Sequence, residues 1–377
     1  MHRTTHNQLT FQIFWIVLLS AGGIQLFYFL FFFSGVAFGR TKKLLPVPRE
    51  PLSVVICARN EAENLKENLP LILGQDYPDF EVIVVNDNST DDTTGVLHNL
   101  SAAHPKLQIR NITQESKGLH GKKFALTVGI KAAQHKTVVL TDADCAPSSR
   151  DWLALFQRNF QRKIEVVIGY APFKKEKGLL NRWVRFDAFW NGLQYLSLAK
   201  AGIPYMGVGR NLAYKKELFF SNNVFVKHPN LMSGDDDLFV NHIARRKNVA
   251  VEIDAGSFMI SPGKSNREDW SFQKQRNLST ERHYKWIHQI LLSLFSLSHI
   301  MFFLTAIPLA LYSPYWLWTI IALGIRFVFL IFIVGFSMRR LRETDLIWLL
   351  PIFDLFLTVY YLSFATSLFK RRNNRWK

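Results

Sequence analysis

Leu52-Ser53-Val54-Val55-Ile56-Cys57-Ala58, followed at once by Arg59-Asn60-Glu61, decides the fold. A short apolar, β-branched run that stops abruptly in polar residues reads as a strand buried on both faces. Asn64–Leu73 behind it has helical spacing. The alternation then recurs: Phe80–Asn86, Lys136–Thr141 and Val166–Tyr170 are further apolar runs with helical stretches between them. Continuous strands alternating with helices predict an α/β, Rossmann-like domain, a mainly parallel sheet with helices on both faces. Ligands of such sheets bind beyond the carboxyl ends of the strands, so the residues after each strand are where chemistry is sought.

Those ends are polar and acidic. The first gives Ala58-Arg59-Asn60-Glu61, the second Asn86-Asp87-Asn88-Ser89-Thr90-Asp91-Asp92, the third Thr141-Asp142-Ala143-Asp144. No GxGxxG follows the first strand and no GxxxxGK[ST] occurs, which removes the main support for dinucleotide and P-loop readings. Asp142 and Asp144 alternate on an extended segment and suit a hard divalent cation that keeps some waters and binds phosphate oxygens. A second cluster, Asp235-Asp236-Asp237, lies at the apparent start of a helix, where acids favour the dipole. Three adjacent carboxylates are costly unless a metal, basic neighbours or solvent compensate.

Outside this middle block the composition changes. Of 377 residues 49% are hydrophobic and only 20% charged, with 32 Phe. The apolar excess sits at the two ends. Phe11–Phe38 carries no charge and is long enough to cross a hydrocarbon core of about 30 Å as an uncleaved anchor. Ile287–Tyr312, Pro314–Phe336 and Leu346–Phe369 are three more apolar segments, taken as three crossings. Three crossings leave Lys370-Arg371-Arg372 outside, against the charge rule. Arg40, Lys42, Lys43 and Arg49 follow the first segment while Arg3 alone precedes it, so the positive-inside rule puts the middle block in the cytoplasm. The expected organisation is an anchor helix over 1–45, a cytoplasmic domain over 46–285 and a membrane region over 286–377, in a multi-pass protein of the plasma membrane.

The net charge of +17 suggests nucleic acid, an anionic membrane or a phosphorylated substrate. Basic residues are scattered and flank the apolar segments, so the bilayer is the expected partner and nucleic acid is not. Cys57 and Cys145, the only two cysteines, read as small core residues in a domain that needs no oxidising compartment. Leu179–Ile203 mixes Trp183, Phe186, Phe189 and Trp190 with Arg182, Arg185 and Lys200, which favours an amphipathic helix lying at the membrane interface. Arg326 and Asp354 fall at similar depths in neighbouring apolar segments and are expected to face each other.

Taken in order, the motifs of residues 51 to about 286 resemble an inverting family-2 glycosyltransferase with a nucleotide-sugar donor fold and membrane helices. Ser53–Glu61 resembles the first-strand signature, and Val85–Asp91 resembles VDDGSTD. Lys117-Gly118 through Gly121-Lys122-Lys123-Phe124-Ala125-Leu126 resembles the GK-x-x-AL helix start, and Asp142-Ala143-Asp144 the metal-binding DxD. Gly207–Tyr214 resembles the acceptor-side segment, Asp235-Asp236 stands where ED carries the base, and Gln273-Lys274-Gln275-Arg276-Asn277 is similar to QxxRW. Asn86 stands for the first Asp of VDD, Thr127 for the Asn of ALN, and Asn277 for the Trp of processive synthases.

The resemblance implies specific roles. Ala58, Arg59, Asn60, Glu61, Asp87, Lys122, Asp142, Gln273 and Arg276 would bind a nucleotide-diphosphate sugar; Asp142 and Asp144 would hold Mn²⁺ or Mg²⁺. Gly209, Arg210 and Asn211 would line the acceptor region, and Asp236, with Asp235, would be catalytic. The expected activity is metal-assisted, inverting transfer of a hexosyl group to a lipid or glycan acceptor of the cell envelope. The alternatives are a processive polysaccharide synthase of the cellulose, chitin or hyaluronan type, and an inactive sugar-nucleotide-binding membrane protein.

Overall fold

Both faces of the strand β1 (Leu52–Ala58) are buried, as its unbroken apolar sequence requires. In the computed structural model, which describes residues 2–39, 48–113, 122–222 and 234–365, β1 lies inside a seven-stranded sheet. The other strands are β2 (Phe80–Asp87), β3 (Leu107–Ile112), β4 (Thr137–Asp142), β6 (Val166–Gly169), β7 (Leu212–Lys215) and β8 (Val249–Glu252). Their order is β3-β2-β1-β4-β7-β6-β8. A two-stranded sheet pairs β5 (Ala146–Pro147) with β9 (Met259–Ile260). Pairing of β1 with β2 and β4, and of β2 with β3, is parallel; β7 runs antiparallel to both its neighbours. The expected mainly parallel sheet is therefore present, with one reversed strand.

Register places the site. Cys57 pairs with Val85 on one side and with Asp142 on the other, so the polar ends of β1, β2 and β4 finish level. Helices α1 (Ala62–Leu73), α2 (Thr93–Ala103), α3 (Lys122–Ala132) and α4 (Trp152–Gln157) follow successive strands. Leu65, Leu69 and Ile72 of α1 join Val54, Ile56, Val82, Val84 and Val139 in one core. Helix α3 packs so closely that a Cβ on Gly129 would stand 2.5 Å from Val55 Cγ1. Helices α5 (Leu179–Lys200), α6 (Asp237–Ile243) and α7 (Arg267–Glu281), with a short helical segment at Glu217–Asn222, belong to the same unit, whose described residues lie within 48–284.

Helix α5 corrects an expectation. It is not a surface-lying amphipathic helix: residues on every side of it, from Asn181, Arg185 and Asp187 to Phe189, Trp190 and Leu196, are buried. Its aromatics pack on one another and on α7 (Trp183 against Trp270, centroids 6.2 Å apart), and its Asp187 is paired to Lys274 at 2.8 Å. Aromatic residues around the full circumference mean core.

Among its described residues the second unit has four helices long and apolar enough to cross a membrane: Leu9–Ala37, Trp286–Tyr312, Trp316–Arg340 and Thr344–Ser363. Leu18, Ala21, Phe302, Phe303, Ala306 and Leu309 form its core. A tight turn at Ser313-Pro314 separates the second and third of these helices, with Trp316 N–H donating to the Ser313 carbonyl at 3.2 Å. Arg342 adopts a left-handed φ of 63° in the turn between the last two spans. Arg326 and Asp354 are paired there, as their depths predicted. The charged flank Arg40, Lys42 and Lys43 and the tail Lys370-Arg371-Arg372 lie outside the described residues.

Candidate active site

The ends of β1 and β2 are laced together by short polar side chains. Asn60 takes a left-handed φ of 57°, a conformation that Asn tolerates better than most residues. From there its Oδ1 accepts from Thr90 N–H at 2.7 Å, and its own N–H donates to Ser89 Oγ at 3.0 Å. Glu61 N–H donates to Thr93 Oγ1 and Ala62 N–H to Asp91, at 3.0 and 3.1 Å. Ala58 is buried beneath this lacing and Arg59 is half-buried beside it. Burial raises the Glu61 carboxyl, against a hydrogen bond from Asn64 at 2.6 Å, and the charges of Asp144 and Asp142 raise it further. Asn86 turns inward, donating to Thr94 and Asn111 at 3.0 and 3.2 Å, which leaves Asp87 as the terminal acid of β2.

Lys122, the first residue of α3, joins the strand ends to the acidic triplet. Its Nζ is hydrogen-bonded to Asp142 Oδ1 and lies 3.7 Å from Asp235 Oδ2. Two clusters more than ninety residues apart in sequence thus share one cation. The motif residues Lys117, Gly118 and Gly121 lie outside the described residues. Burial alone would raise Asp142, but Lys122 beside it, with Arg210 and Arg276 farther off, holds its carboxyl below the usual range. Asp144 behaves oppositely: burial, then the charge of Asp142, push it up.

That contrast bears on a metal. Among the described residues no group of three or more His, Cys, Asp and Glu is arranged to hold one. Asp144 is a half-buried carboxylate with a 3.3 Å contact from Cys145 Sγ, and Arg210 and Lys122 only partly offset the effect of burial and of the Asp142 charge. Two carboxylates are too few for an all-protein cage. They fit a Mg²⁺-like cation that takes its other ligands from a diphosphate and water.

The acidic triplet begins after Gly234, whose φ of 93° and whose missing Cβ, which would stand 2.6 Å from Leu238, make the turn. Asp236 accepts from Gly209 N–H at 2.6 Å. Burial, then Asp235 and Asp237, raise its carboxyl to about 7 against the pull of that hydrogen bond and of Lys122. Gly209 itself is buried, and a Cβ there would stand 3.2 Å from the same carboxylate oxygen. Arg210 donates to Ser261 Oγ and stacks over Phe173, 4.4 Å from the ring centre. Asn211 is fully buried with its amide engaged: Trp152 Nε1 donates to it at 2.9 Å, and it donates to the Tyr170 and Ser257 carbonyls, both at 2.8 Å. It fixes the loop from below.

On α7, Arg276 belongs to the charge cluster around Asp142, and its Nε is buried with no hydrogen-bond partner among the described residues. The side chain of Gln273, one turn earlier and half-buried, makes no hydrogen bond among the described residues. Sequence reasoning missed the residues that hold this site: Phe173 and Ser261 under Arg210, and Thr280 and Tyr284 against Asp237. No motif flags them, because each contact closes a long loop.

Residues 53–220 match the family described as Glycosyl transferase family 2. The chain is 32% identical over 95 residues to poly-beta-1,6-N-acetyl-D-glucosamine synthase of Staphylococcus epidermidis, covering 25% of this chain and 22% of that one. It is 29% identical over 194 residues to glycosyltransferase AglE of Haloferax volcanii, covering 49% of this chain and 58% of the relative. It thus spans less than two thirds of these curated relatives. The mannosyltransferase PcManGT of Pyrobaculum calidifontis, solved with GDP-Man and Mn²⁺, superposes with a TM-score of 0.58 over 92% of this chain and 98% of that one, at 18% identity, a likeness of fold. The match over residues 53–220, the mostly parallel sheet and the motifs support a family-2 glycosyltransferase domain, and the described residues also include four apolar helices.

Proposed function

We propose that the protein is a membrane-bound, inverting glycosyltransferase that moves a hexosyl group from a nucleotide-diphosphate sugar to a lipid or glycan acceptor of the cell envelope. The observation that carries this reading is the Lys122 bridge, which supports one cleft containing both the DxD carboxylates and the acidic triplet. The donor would lie across the ends of β1, β2 and β4, with Asp87 and the Ala58–Glu61 turn toward its nucleoside and Asp142 toward its ribose-diphosphate. Asp144, with Asp142, would hold Mn²⁺ or Mg²⁺. Such a cation neutralises charge on a departing diphosphate without a proton transfer. Lys122 and Arg276 add fixed positive charge to the same end.

Asp236 is the proposed base. Its carboxyl titrates near 7, which suits a group that must take a proton from an acceptor hydroxyl at neutral pH. The Gly209 hydrogen bond would keep its position fixed, and Arg210, held by Phe173 and Ser261, would stand on the acceptor side. A base facing the sugar opposite its leaving group inverts the anomeric centre. The apolar helices would hold the enzyme in the bilayer with this unit in the cytoplasm, as the basic flank of the first segment suggests.

Incubating membranes that contain the protein with a panel of radiolabelled UDP- and GDP-sugars tests the reading. Transfer of label from one donor to a lipid-extractable or glycan product is the expected result. Donor binding without hydrolysis or transfer would instead identify an inactive sugar-nucleotide-binding protein.

A further inference from the structure

Each carboxylate of the triplet is fastened to a different part of the domain. Asp235 lies by Lys122 at the start of α3, and Asp236 takes the Gly209 N–H. Asp237 points the other way, with Oδ1 accepting from Leu238 N–H at 2.7 Å and Oδ2 accepting from Thr280 Oγ1 and, at 2.7 Å, from Tyr284 OH. All three of these residues are buried, Thr280 completely. Thr280 Oγ1 also lies 2.7 Å from the Asn277 carbonyl, but its single proton goes to the carboxylate, the stronger acceptor. Burying a carboxylate is costly, and charge-assisted hydrogen bonds from two hydroxyls are what make this placement tolerable.

The two donors come from one place. Thr280 lies in the last turn of α7, one turn beyond Arg276, and Tyr284 follows shortly after the helix ends. Tyr284 is itself packed edge-on against Tyr205, whose carbonyl accepts from Asn241 of α6 at 2.8 Å. The joint therefore fastens the end of α7 to the start of α6, the turn of the chain that carries Asp236.

We propose that Asp237 is a positioning residue: through Thr280 and Tyr284 it sets the end of α7, and with it Arg276, against the turn that presents Asp236. The proposal rests on the glycosyltransferase reading for the roles of Arg276 and Asp236, while the joint itself does not depend on it. A displacement of about 1 Å in a positioning group is enough to cost on the order of a hundredfold in rate, so a joint of this kind governs turnover without touching substrate.

The test uses the full-length protein in detergent and the variant pair Thr280→Val with Tyr284→Phe, which removes both donors and leaves all three carboxylates. Thr280→Ser is the conservative control. Hydrogen–deuterium exchange is read across the unit, and kcat and donor KM are read with the UDP- and GDP-sugar panel. The double variant is expected to exchange at least about tenfold faster at residues 276–284 alone, and to lose about tenfold or more in kcat with a raised donor KM. Thr280→Ser should stay within about twofold of the parent.

Asp237→Asn supplies a second measurement, because removing its charge should move the acid limb of kcat to lower pH. The groups facing Asp236 are Asp235, Asp237, Lys122, Tyr195 and the Gly209 N–H; those facing Asp237 are Asp235, Asp236, Lys123, Thr280, Glu281 and Tyr284. An unchanged exchange pattern with kcat within twofold overturns the proposal. So does faster exchange spread over the whole unit with kcat per folded protein preserved, which marks a purely structural residue. If the parent protein turns over no donor at all, the functional reading falls, and exchange at 276–284 alone decides whether the joint exists.

Discussion

Arg326 and Asp354 form a two-pronged ion pair inside the helical unit, with Nη1 to Oδ2 at 2.5 Å and Nη2 to Oδ1 at 2.9 Å. Gln25 Oε1 accepts from Arg326 Nε at 2.7 Å, and His299 Nδ1 lies 3.3 Å from Nη2. Phe303 and Phe302 flank the guanidinium at 5.0 and 5.2 Å. With its nitrogens so engaged, Arg326 has no donor set facing outward for a lipid phosphate. Removing one partner of a buried pair strands the other charge, at a cost of about 3–5 kcal/mol in soluble proteins. Arg326→Leu and Asp354→Leu should each reduce folded protein, measured by monodisperse yield in detergent, and the exchanged pair should recover much of it. If Arg326→Leu leaves yield unchanged and raises the acceptor KM, the pair is not what holds the unit together.

This pair was legible in the sequence because two lone charges at matching depth in apolar segments have few other solutions. The strand ends were legible for a similar reason, since an apolar run that stops at Arg59-Asn60-Glu61 or at Asp142-Ala143-Asp144 marks both a boundary and a site. The supports were not. Trp152 meets Asn211, and Asp237 meets Thr280 and Tyr284, only after the chain has closed loops of 59, 43 and 47 residues. Strand β7 is four residues long and reversed, and neither property leaves a periodic signal. Helix α5 was misread because its buried Asp187 and its arginines imitate a polar face. Tertiary partners such as Lys274 and Trp270 Nε1, the latter 3.3 Å from Asp187, satisfy that acid instead.

Metal dependence is expected from Asp142 and Asp144 at the end of β4, where burial and the Asp142 charge push the Asp144 carboxyl up despite Arg210 and Lys122. Asp144→Asn should abolish transfer and weaken donor binding, and excess chelator should do the same to the parent protein, reversed by Mn²⁺ or Mg²⁺. Full activity in chelator would remove the cation from the proposal.

Asn277 sets an expectation about product length. It is exposed on α7, in the place where the resemblance to processive synthases calls for Trp. An amide cannot offer the broad apolar face on which an acceptor sugar stacks. The protein should therefore add one sugar, or a few, per encounter. Mass spectrometry of the products decides it, and a ladder of long polymer from purified protein would refute the inference.

The last expectation concerns the base and its pH dependence. Asp236→Asn should leave donor binding nearly intact and reduce turnover by on the order of a hundredfold or more. Because the carboxyl titrates at about 7 and must be deprotonated to act, kcat should fall as pH drops through that value. The stability sign is opposite. A carboxyl raised above its unfolded value of 3.8 holds its proton longer in the folded state, so folding is favoured at low pH and weakened as pH rises from there toward 7. Asp236→Asn should thus flatten the acid limb of the rate profile while making the folded protein less sensitive to pH over the same window. Asp235→Asn separates the neighbours, since it leaves the Gly209 hydrogen bond in place and removes a negative charge that raises Asp236. Its acid limb should move to lower pH with a smaller loss of rate. If Asp235→Asn proves the more damaging change and Asp236→Asn keeps the limb, the base is Asp235.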